Sequence, residues 1–243
     1  MKVAVVTGSS YGLGKSISEM LLKDDYKVYG VSRTEPKIQD TNFIWIKADL
    51  LNDESFKLIY SSISEDKIDL LINNAGTHIF ELTEEVTRKN FSATINLNFI
   101  APVFLVKALF SKLSNGLIIN ISSTSDRFAE KGGASYSASK AALQMYFDVL
   151  AIENENIKVV HLLPDFIDTP LQHKISDKTG FDWNLCTTSE ENAEFIKDVI
   201  NGKYQIESGS RTFVLNNETA DDASDPEKLY YYNVDTKEFK KLK

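Results

Sequence analysis

Lys2-Val3-Ala4-Val5-Val6-Thr7-Gly8-Ser9-Ser10-Tyr11-Gly12-Leu13-Gly14 is the stretch from which the fold can be read. Its first six residues are rich in β-branched side chains and end at a glycine turn, which predicts a strand over Lys2–Thr7. Beyond the loop, Ile17, Met20 and Leu21 recur at helical spacing and predict a helix over 16–23. A glycine-rich turn joining a strand to a helix lets the backbone bend tightly. It also brings free N–H groups and the positive end of a helix dipole to one point, a cradle for a pyrophosphate. Alone the loop is a weak signal, because glycines often only end strands, and its spacing differs from G-x-G-x-x-G. Gly14-Lys15-Ser16 imitates the end of a triphosphatase phosphate loop, but that motif needs a glycine where Ser9 stands. Lys15 therefore reads as a solvated helix residue.

Outward from this stretch, further strands are expected over 27–32, Phe43–Lys47, Leu70–Asn73, Leu117–Ile121 and 157–163. Helical stretches at 53–62, 88–113 and 136–153 separate them. The strands are continuous apolar runs rather than alternations, as parallel strands buried on both faces require. Repeated strand–helix alternation predicts an α/β protein with a Rossmann-type doubly wound parallel sheet, three layers deep (αβα), in a single domain over 1–220. The weakly periodic region 164–189 is expected to be a lid or binding loop. A helix is expected over Ser189–Ile200 with Ser189 as its N-cap, and a last strand over 211–215. Residues 221–243 form a C-terminal tail with apolar runs at 229–232 and 239–242. Asp235–Thr236 would turn a hairpin that packs on the same or a neighbouring subunit.

The chain has 243 residues, of which 42% are hydrophobic and 26% charged, enough for a sizeable core. A formal net charge of −8 argues against a nucleic-acid-binding surface. Cys186 is the sole cysteine, so no intrachain disulfide forms; it reads as a small apolar residue rather than a nucleophile. The short run Val3–Val6 after Met1–Lys2 is not a secretory signal. The apolar run 99–110 contains Pro102 and Lys107 and is too short to span a bilayer. A cytoplasmic location and no membrane partner are expected by default. His78, His161 and His173 are scattered, so no metal site is expected. His161 reads as a strand residue; His78, just after Gly76-Thr77, reads as a loop-surface residue, with a place facing the pocket as the alternative.

Five features occur in one order: the G-x-x-x-G-x-G spacing of Gly8, Gly12 and Gly14; Asn73-Asn74-Ala75-Gly76; Asn96; Ser123; and Tyr136-x-x-x-Lys140. Together they resemble the short-chain dehydrogenase/reductase family across about the first 171 residues. Each motif is weak singly, and the ordered set is specific. The resemblance implies hydride transfer between NADP(H) and a carbonyl or alcohol substrate, with Ser123, Tyr136, Lys140 and Asn96 catalytic. It also implies that Lys140 holds the nicotinamide ribose and that Asn96 fixes a water in a proton relay. It implies cofactor contacts at Gly8, Ser10, Tyr11, Gly12, Leu13, Gly14, Ser32, Arg33, Asp49, Leu50, Asn74, Ala75, Gly76, Pro164, Ile167 and Thr169, besides Tyr136 and Lys140. Asn73 and Asn74 read as structural or cofactor-supporting.

The residues support the chemistry independently. Tyr136 and Lys140, four apart, share a helical face, and an ammonium favours a neighbouring phenolate. Singly, Ser123 reads as a turn residue or cap, Asn96 as a buried amide and Asp49 as a turn aspartate. The second strand ends Val31-Ser32-Arg33, without the carboxylate that bonds the ribose of NAD. Serine there and a planar cation next to it favour NADP(H), with NAD(H) the alternative. Asp165 stands where the family has glycine, which puts the loop geometry in question. Pocket walls are expected from 124–135 and 165–188, including Phe128, Phe166, Phe181, Trp183, Asp126, Arg127 and Asp165. The resemblance also implies a homodimer or homotetramer paired through the helices at 88–113 and 136–153. The rival reading is a non-catalytic nucleotide-sensing or scaffold protein on the same fold.

Overall fold

The structure, a computed structural model, describes residues 1–176, 182–215 and 229–241. Its strands are β1 (Lys2–Thr7), β2 (Tyr26–Ser32), β3 (Phe43–Lys47), β4 (Leu70–Asn73), β5 (Leu117–Ile121), β6 (Lys158–Pro164), β7 (Ser210–Leu215), β8 (Leu229–Asn233) and β9 (Glu238–Lys241). They form one sheet in the order β3-β2-β1-β4-β5-β6-β7-β8-β9. Neighbours run parallel from β3 to β8, and β9 returns antiparallel to β8. The strand order reverses between β1 and β4. In open α/β sheets a crevice opens at such a switch point, beyond the carboxyl ends of the strands.

Helices cover both faces, giving the three-layer doubly wound architecture. On one face, α2 (Glu54–Ser62), α4 (Ala101–Leu109) and α5 (Ala134–Glu153) bury Phe56, Ile59, Leu105, Leu109, Leu143 and Phe147 against the sheet. On the other, α1 (Gly12–Lys23) and α7 (Ser189–Ile200) bury Ile17, Leu21, Phe195 and Ile196. Two further helices are α3 (Arg88–Ile95) and α6 (Pro170–Ser176). Burying one such aliphatic or aromatic side chain contributes about 1.5–3 kcal/mol, so these two layers supply much of the driving force for the fold.

Several boundaries differ from expectation for local reasons. Helix α1 starts at Gly12, inside the glycine loop, so its first turn faces the crevice rather than beginning beyond it. The predicted helix at 88–113 contains one π-helical turn, Asn96–Ile100, between α3 and α4. Pro102 has no N–H for the Asn98 carbonyl four residues earlier, which loosens the ladder there. Helically continuous from Arg88 to Lys112, this segment is longer than the apolar run read from the sequence and, by length and composition alone, is long and apolar enough to cross a membrane. Its Ala101, Leu105 and Leu109 lie in the core. Helix α7 is capped by Thr188, not Ser189: Thr188 and Glu191 bond each other's backbone N–H in a capping box. The region 164–189 contains a helix, α6, where only a loop was expected.

The boundary expected at 220/221 lies outside the described residues. Downstream of it, β8 and β9 extend the sheet, and the chain turns between them at 234–237. Tyr232 stacks on Phe195 at 4.0 Å between ring centroids, and Phe239 stacks on Tyr204 at 4.3 Å. These tail rings therefore pack on α7 and its following loop within the same chain.

Candidate active site

The crevice at the switch point is lined from the carboxyl ends of four strands. Gly8, Ser10, Tyr11, Gly12, Leu13 and Gly14 follow β1; Ser32, Arg33 and Thr34 end and follow β2; Ala48, Asp49 and Leu50 follow β3; Asn74, Ala75 and Gly76 follow β4. Backbone proximity explains the glycines. A Cβ on Gly14 would lie 2.2 Å from the Gly8 carbonyl oxygen and 2.5 Å from Asn74 Nδ2, and Gly8 itself has φ +71°. Thr7 fastens the other wall: its Oγ1 accepts the N–H groups of Asn74 and Ala75, both at 3.0 Å, while Asn74 Nδ2 donates to the Thr7 carbonyl at 2.9 Å. Asn73 turns the other way and donates to Asn120 Oδ1 at 2.8 Å. A backbone-lined cleft at a helix N-terminus fits the pyrophosphate of a dinucleotide. Lys15 points away and pairs with Glu19 at 2.6 Å.

A second pocket adjoins the first and shares Leu13, Asn74, Gly76, Thr169 and Leu171 with it. It contains Ser123, Tyr136 and Lys140, together with Pro164, Asp165, Phe166 and Ile167 after β6. Lys140 Nζ donates to the Ile121 carbonyl at 2.7 Å and sits 5.5 Å from the centroid of the Tyr136 ring, one helical turn away on α5. Burial pushes the Tyr136 phenol up to about 12; a hydrogen bond with Ser123 opposes this, and Glu130 and Asp126 add to it. Burial lowers Lys140 to about 8, against the pull of Asp126. Asp126, pushed up to about 6 by its own burial, thus supports the ammonium without lining the pocket.

Asn96 is not at this site. It is exposed, whereas Asn98, two residues on, is buried in the π-turn. Asn98 Oδ1 accepts Thr77 N–H at 2.8 Å, and its Nδ2 donates to the Thr77 carbonyl and to Ser139 Oγ, both at 2.9 Å. A Cβ on Gly76 would lie 3.3 Å from Asn98 Oδ1 and 3.8 Å from Lys140 Nζ, so this asparagine borders the lysine. The sequence signal for it was Pro102, four residues later.

Other expectations shift as well. Ser32 does not offer its hydrogen to the cleft: its Oγ donates to the Thr34 carbonyl at 2.8 Å and accepts from Trp45 Nε1 at 3.1 Å. Ser10 Oγ likewise donates to Thr34 O at 2.9 Å. Asp165 does not occupy a glycine-only conformation, since it is not among the positive-φ residues. Its N–H donates to the Val214 carbonyl at 3.2 Å and its carboxylate accepts from Thr124 Oγ1 at 3.2 Å. Phe166 and Asp165 line the pocket, but Phe128 lies against Phe213 and Trp183 stacks on His173. Arg127 and Asp126 do not line it either, and Phe181 lies outside the described residues. His78, read as a loop-surface residue that could instead face the pocket, lines it, and so does Glu130, which falls within the expected wall 124–135. His161 is a fully buried β6 residue with Nε2 3.2 Å from the Asp148 carboxylate. Burial raises the Cys186 thiol to about 11, which suits an inert residue. Among the described residues no group of three His, Cys, Asp or Glu could hold a metal ion.

The family described as short chain dehydrogenase matches residues 2–180. An uncharacterized oxidoreductase of Saccharomyces cerevisiae is 31% identical over 194 residues, spanning 74% of this chain and 76% of that protein. A benzil reductase ((S)-benzoin forming) of Bacillus cereus is 29% identical over 205 residues, 75% of this chain and 82% of that one. The solved 3-ketoacyl-(acyl-carrier-protein) reductase of Brucella melitensis, complexed with NADH, superimposes with a TM-score of 0.77 at 24% identity, covering 87% of this chain and 96% of the other. The chain belongs to the short-chain dehydrogenase family and, with it, to the NAD(P)-linked oxidoreductases.

Proposed function

We propose that the protein is an NADP(H)-dependent reductase of a small carbonyl compound, or dehydrogenase of the corresponding alcohol, with Tyr136 as the general acid/base. The observation that carries this reading is the junction of the two pockets, where Ser123, Tyr136 and Lys140 adjoin a glycine-built cleft. The bound dinucleotide would supply or accept a hydride. Tyr136 hydroxyl donates its proton to the substrate oxygen in reduction, and a phenol held up to about 12 keeps that proton throughout the neutral range. Ser123 orients the same oxygen. The Lys140 ammonium stabilises the phenolate left behind, and its proton restores the phenol. Asn98 replaces Asn96 in this reading as the relay residue behind Lys140, since it borders Lys140 Nζ across Gly76 and Pro102 cannot give its carbonyl the usual i+4 N–H.

Gly8, Gly12, Leu13 and Gly14 would hold the pyrophosphate. Tyr11, Arg33, Asp49 and Leu50 would hold the adenosine end, and Pro164, Ile167 and Thr169 the nicotinamide end. NADP(H) preference rests on Arg33, exposed on the cleft wall, and on the absence of a carboxylate at Ser32. One charge-assisted bond from Arg33 contributes about 1.5–3 kcal/mol, a preference of roughly tenfold to a hundredfold. A homodimer or homotetramer belongs to the same reading, because Phe104, Phe110, Met145, Tyr146, Val149 and Ile152 leave an exposed apolar stripe on and around α4 and α5. So does a cytoplasmic location, since nothing in a chain with one cysteine asks for an oxidising compartment. A screen of carbonyl compounds with NADPH tests the proposal: consumption of cofactor with at least one of them is expected. Cofactor binding without turnover of any would favour a sensing or scaffold role instead.

A further inference from the structure

The substrate pocket holds two acceptors that the chemistry at Tyr136 does not use. The His78 ring lies flat on the Tyr136 ring, with centroids 4.4 Å apart and planes 8° from parallel. One ring nitrogen is turned to the Gly132 carbonyl, an acceptor, so that nitrogen carries the hydrogen. Burial, with the positive charge of Lys140 adding to it, keeps the ring neutral. Nε2 is then a bare lone pair; it is buried, without a partner, on a residue that lines the pocket. A buried acceptor left unpaired costs the desolvation of that group, which makes it a site waiting for a donor.

Glu130 is the second acceptor. It lines the same pocket; burial pushes its carboxyl up, a hydrogen bond from Ser125 opposes this, and Asp165 raises it further. The two acceptors are fixed relative to one another by the backbone. Gly133 N–H closes a turn onto the Glu130 carbonyl at 3.1 Å, and Glu81 N–H donates to the Gly132 carbonyl at 3.2 Å, tying that turn to the segment that carries His78. Gly132, at φ +76°, meets the Phe80 ring so closely that a Cβ would lie 2.4 Å from it. The loops therefore hold His78 and Glu130 at the walls of the space that Ser123 and Tyr136 also face.

We propose that the preferred substrate carries a hydrogen-bond donor, a hydroxyl or an ammonium, on a carbon adjacent to the reacting one, received by His78 Nε2 and the Glu130 carboxylate. This rests on the assignment of Tyr136 as the proton donor. The two donor types share one chemistry and differ in charge: an ammonium gains most from Glu130 with Asp165 behind it, a hydroxyl most from the neutral Nε2.

The test measures kcat/KM of the full chain with NADPH for phenyl methyl ketone and its α-methoxy, α-hydroxy and α-amino derivatives. The α-methoxy ketone imitates the electronic effect of the hydroxyl without its donor. A preference of roughly 10- to 100-fold for the α-hydroxy or α-amino ketone over the α-methoxy one is expected. His78→Phe, which keeps a ring against Tyr136, should bring the α-hydroxy to α-methoxy ratio to about one, and Glu130→Gln should do the same for the α-amino ratio. Turnover with no preference for a donor, or a preference that survives both substitutions, overturns the inference and leaves the assignment of Tyr136 standing. No turnover of any of the four ketones overturns the inference, while the assignment of Tyr136 stands or falls on the broader screen of carbonyl compounds.

Discussion

The cleft under the glycine loop and the pocket around Tyr136 share five residues, yet they are built by different means. Backbone shapes the first: a missing Cβ at Gly14, a left-handed turn at Gly8, and two amides gathered by Thr7. Side chains shape the second, and they come from segments far apart in sequence: His78 after β4, Glu130 before α5 and Asp165 after β6. A backbone-built site leaves its mark as glycine and asparagine at fixed spacing. A side-chain-built site has no such spacing, because its geometry arises only when the loops close on one another.

The sharpest way to test that division is to remove a single hydroxyl from the pocket. Tyr136→Phe should lower turnover by about a thousandfold, within the range for general acid catalysis, as read from steady-state rates against any accepted carbonyl compound. Lys140→Met should lower turnover by roughly a hundredfold and also change stability in an unusual direction. Lys140 titrates at about 8 in the fold, against 10.5 ordinarily. Below pH 8 the folded state carries the cost of a buried ammonium, and the cost fades as pH rises from 8 to 10.5. The methionine variant should therefore be more stable at pH 7 by up to about 3 kcal/mol, less whatever the Ile121 carbonyl loses. In denaturant titrations that gain should vanish above pH 10.5. A loss of stability at pH 7 would mean the hydrogen bond to Ile121 outweighs the desolvation.

Changes on the cofactor side should read out in binding. Gly14→Ala drives a Cβ into the Gly8 carbonyl and should weaken NADPH binding tenfold or more while costing about 1–3 kcal/mol of stability. Unchanged binding would show that the loop is not the cradle. Arg33→Ala should have the smallest effect, closing a gap between NADPH and NADH affinity of tenfold to a hundredfold. The gap in the unmodified protein should also narrow at high salt, because Arg33 is exposed. Equal affinities before mutation would remove the preference from the account.

The same division explains what the sequence made legible. The strands β1, β3, β4 and β5 fall where their apolar runs end at Gly8, Ala48, Asn74 and Ser122, since buried parallel strands leave a continuous hydrophobic signature. Tyr136 and Lys140 were legible because α5 is regular between them. Asn98 was not, because one π-turn shifts the helical phase and makes Asn96 the more obvious asparagine. Asp165 was legible as a departure but not in its consequence. Its backbone needs no left-handed conformation, and its carboxylate finds Thr124 across the pocket mouth. The wall segment that carries Glu130 was legible, but its pairing with His78 was not, because that juxtaposition depends on the contacts of Gly132 with Phe80 and Glu81, which no local pattern announces.

The central claim is that binding and chemistry reside in separate, adjoining structures. Its most direct test is the NADPH dissociation constant of Tyr136→Phe, measured by titration on the same preparation whose turnover is assayed. The account predicts an affinity within about twofold of the unmodified protein, with turnover nearly abolished. Retained turnover, or an affinity that falls in parallel with the rate, would contradict it.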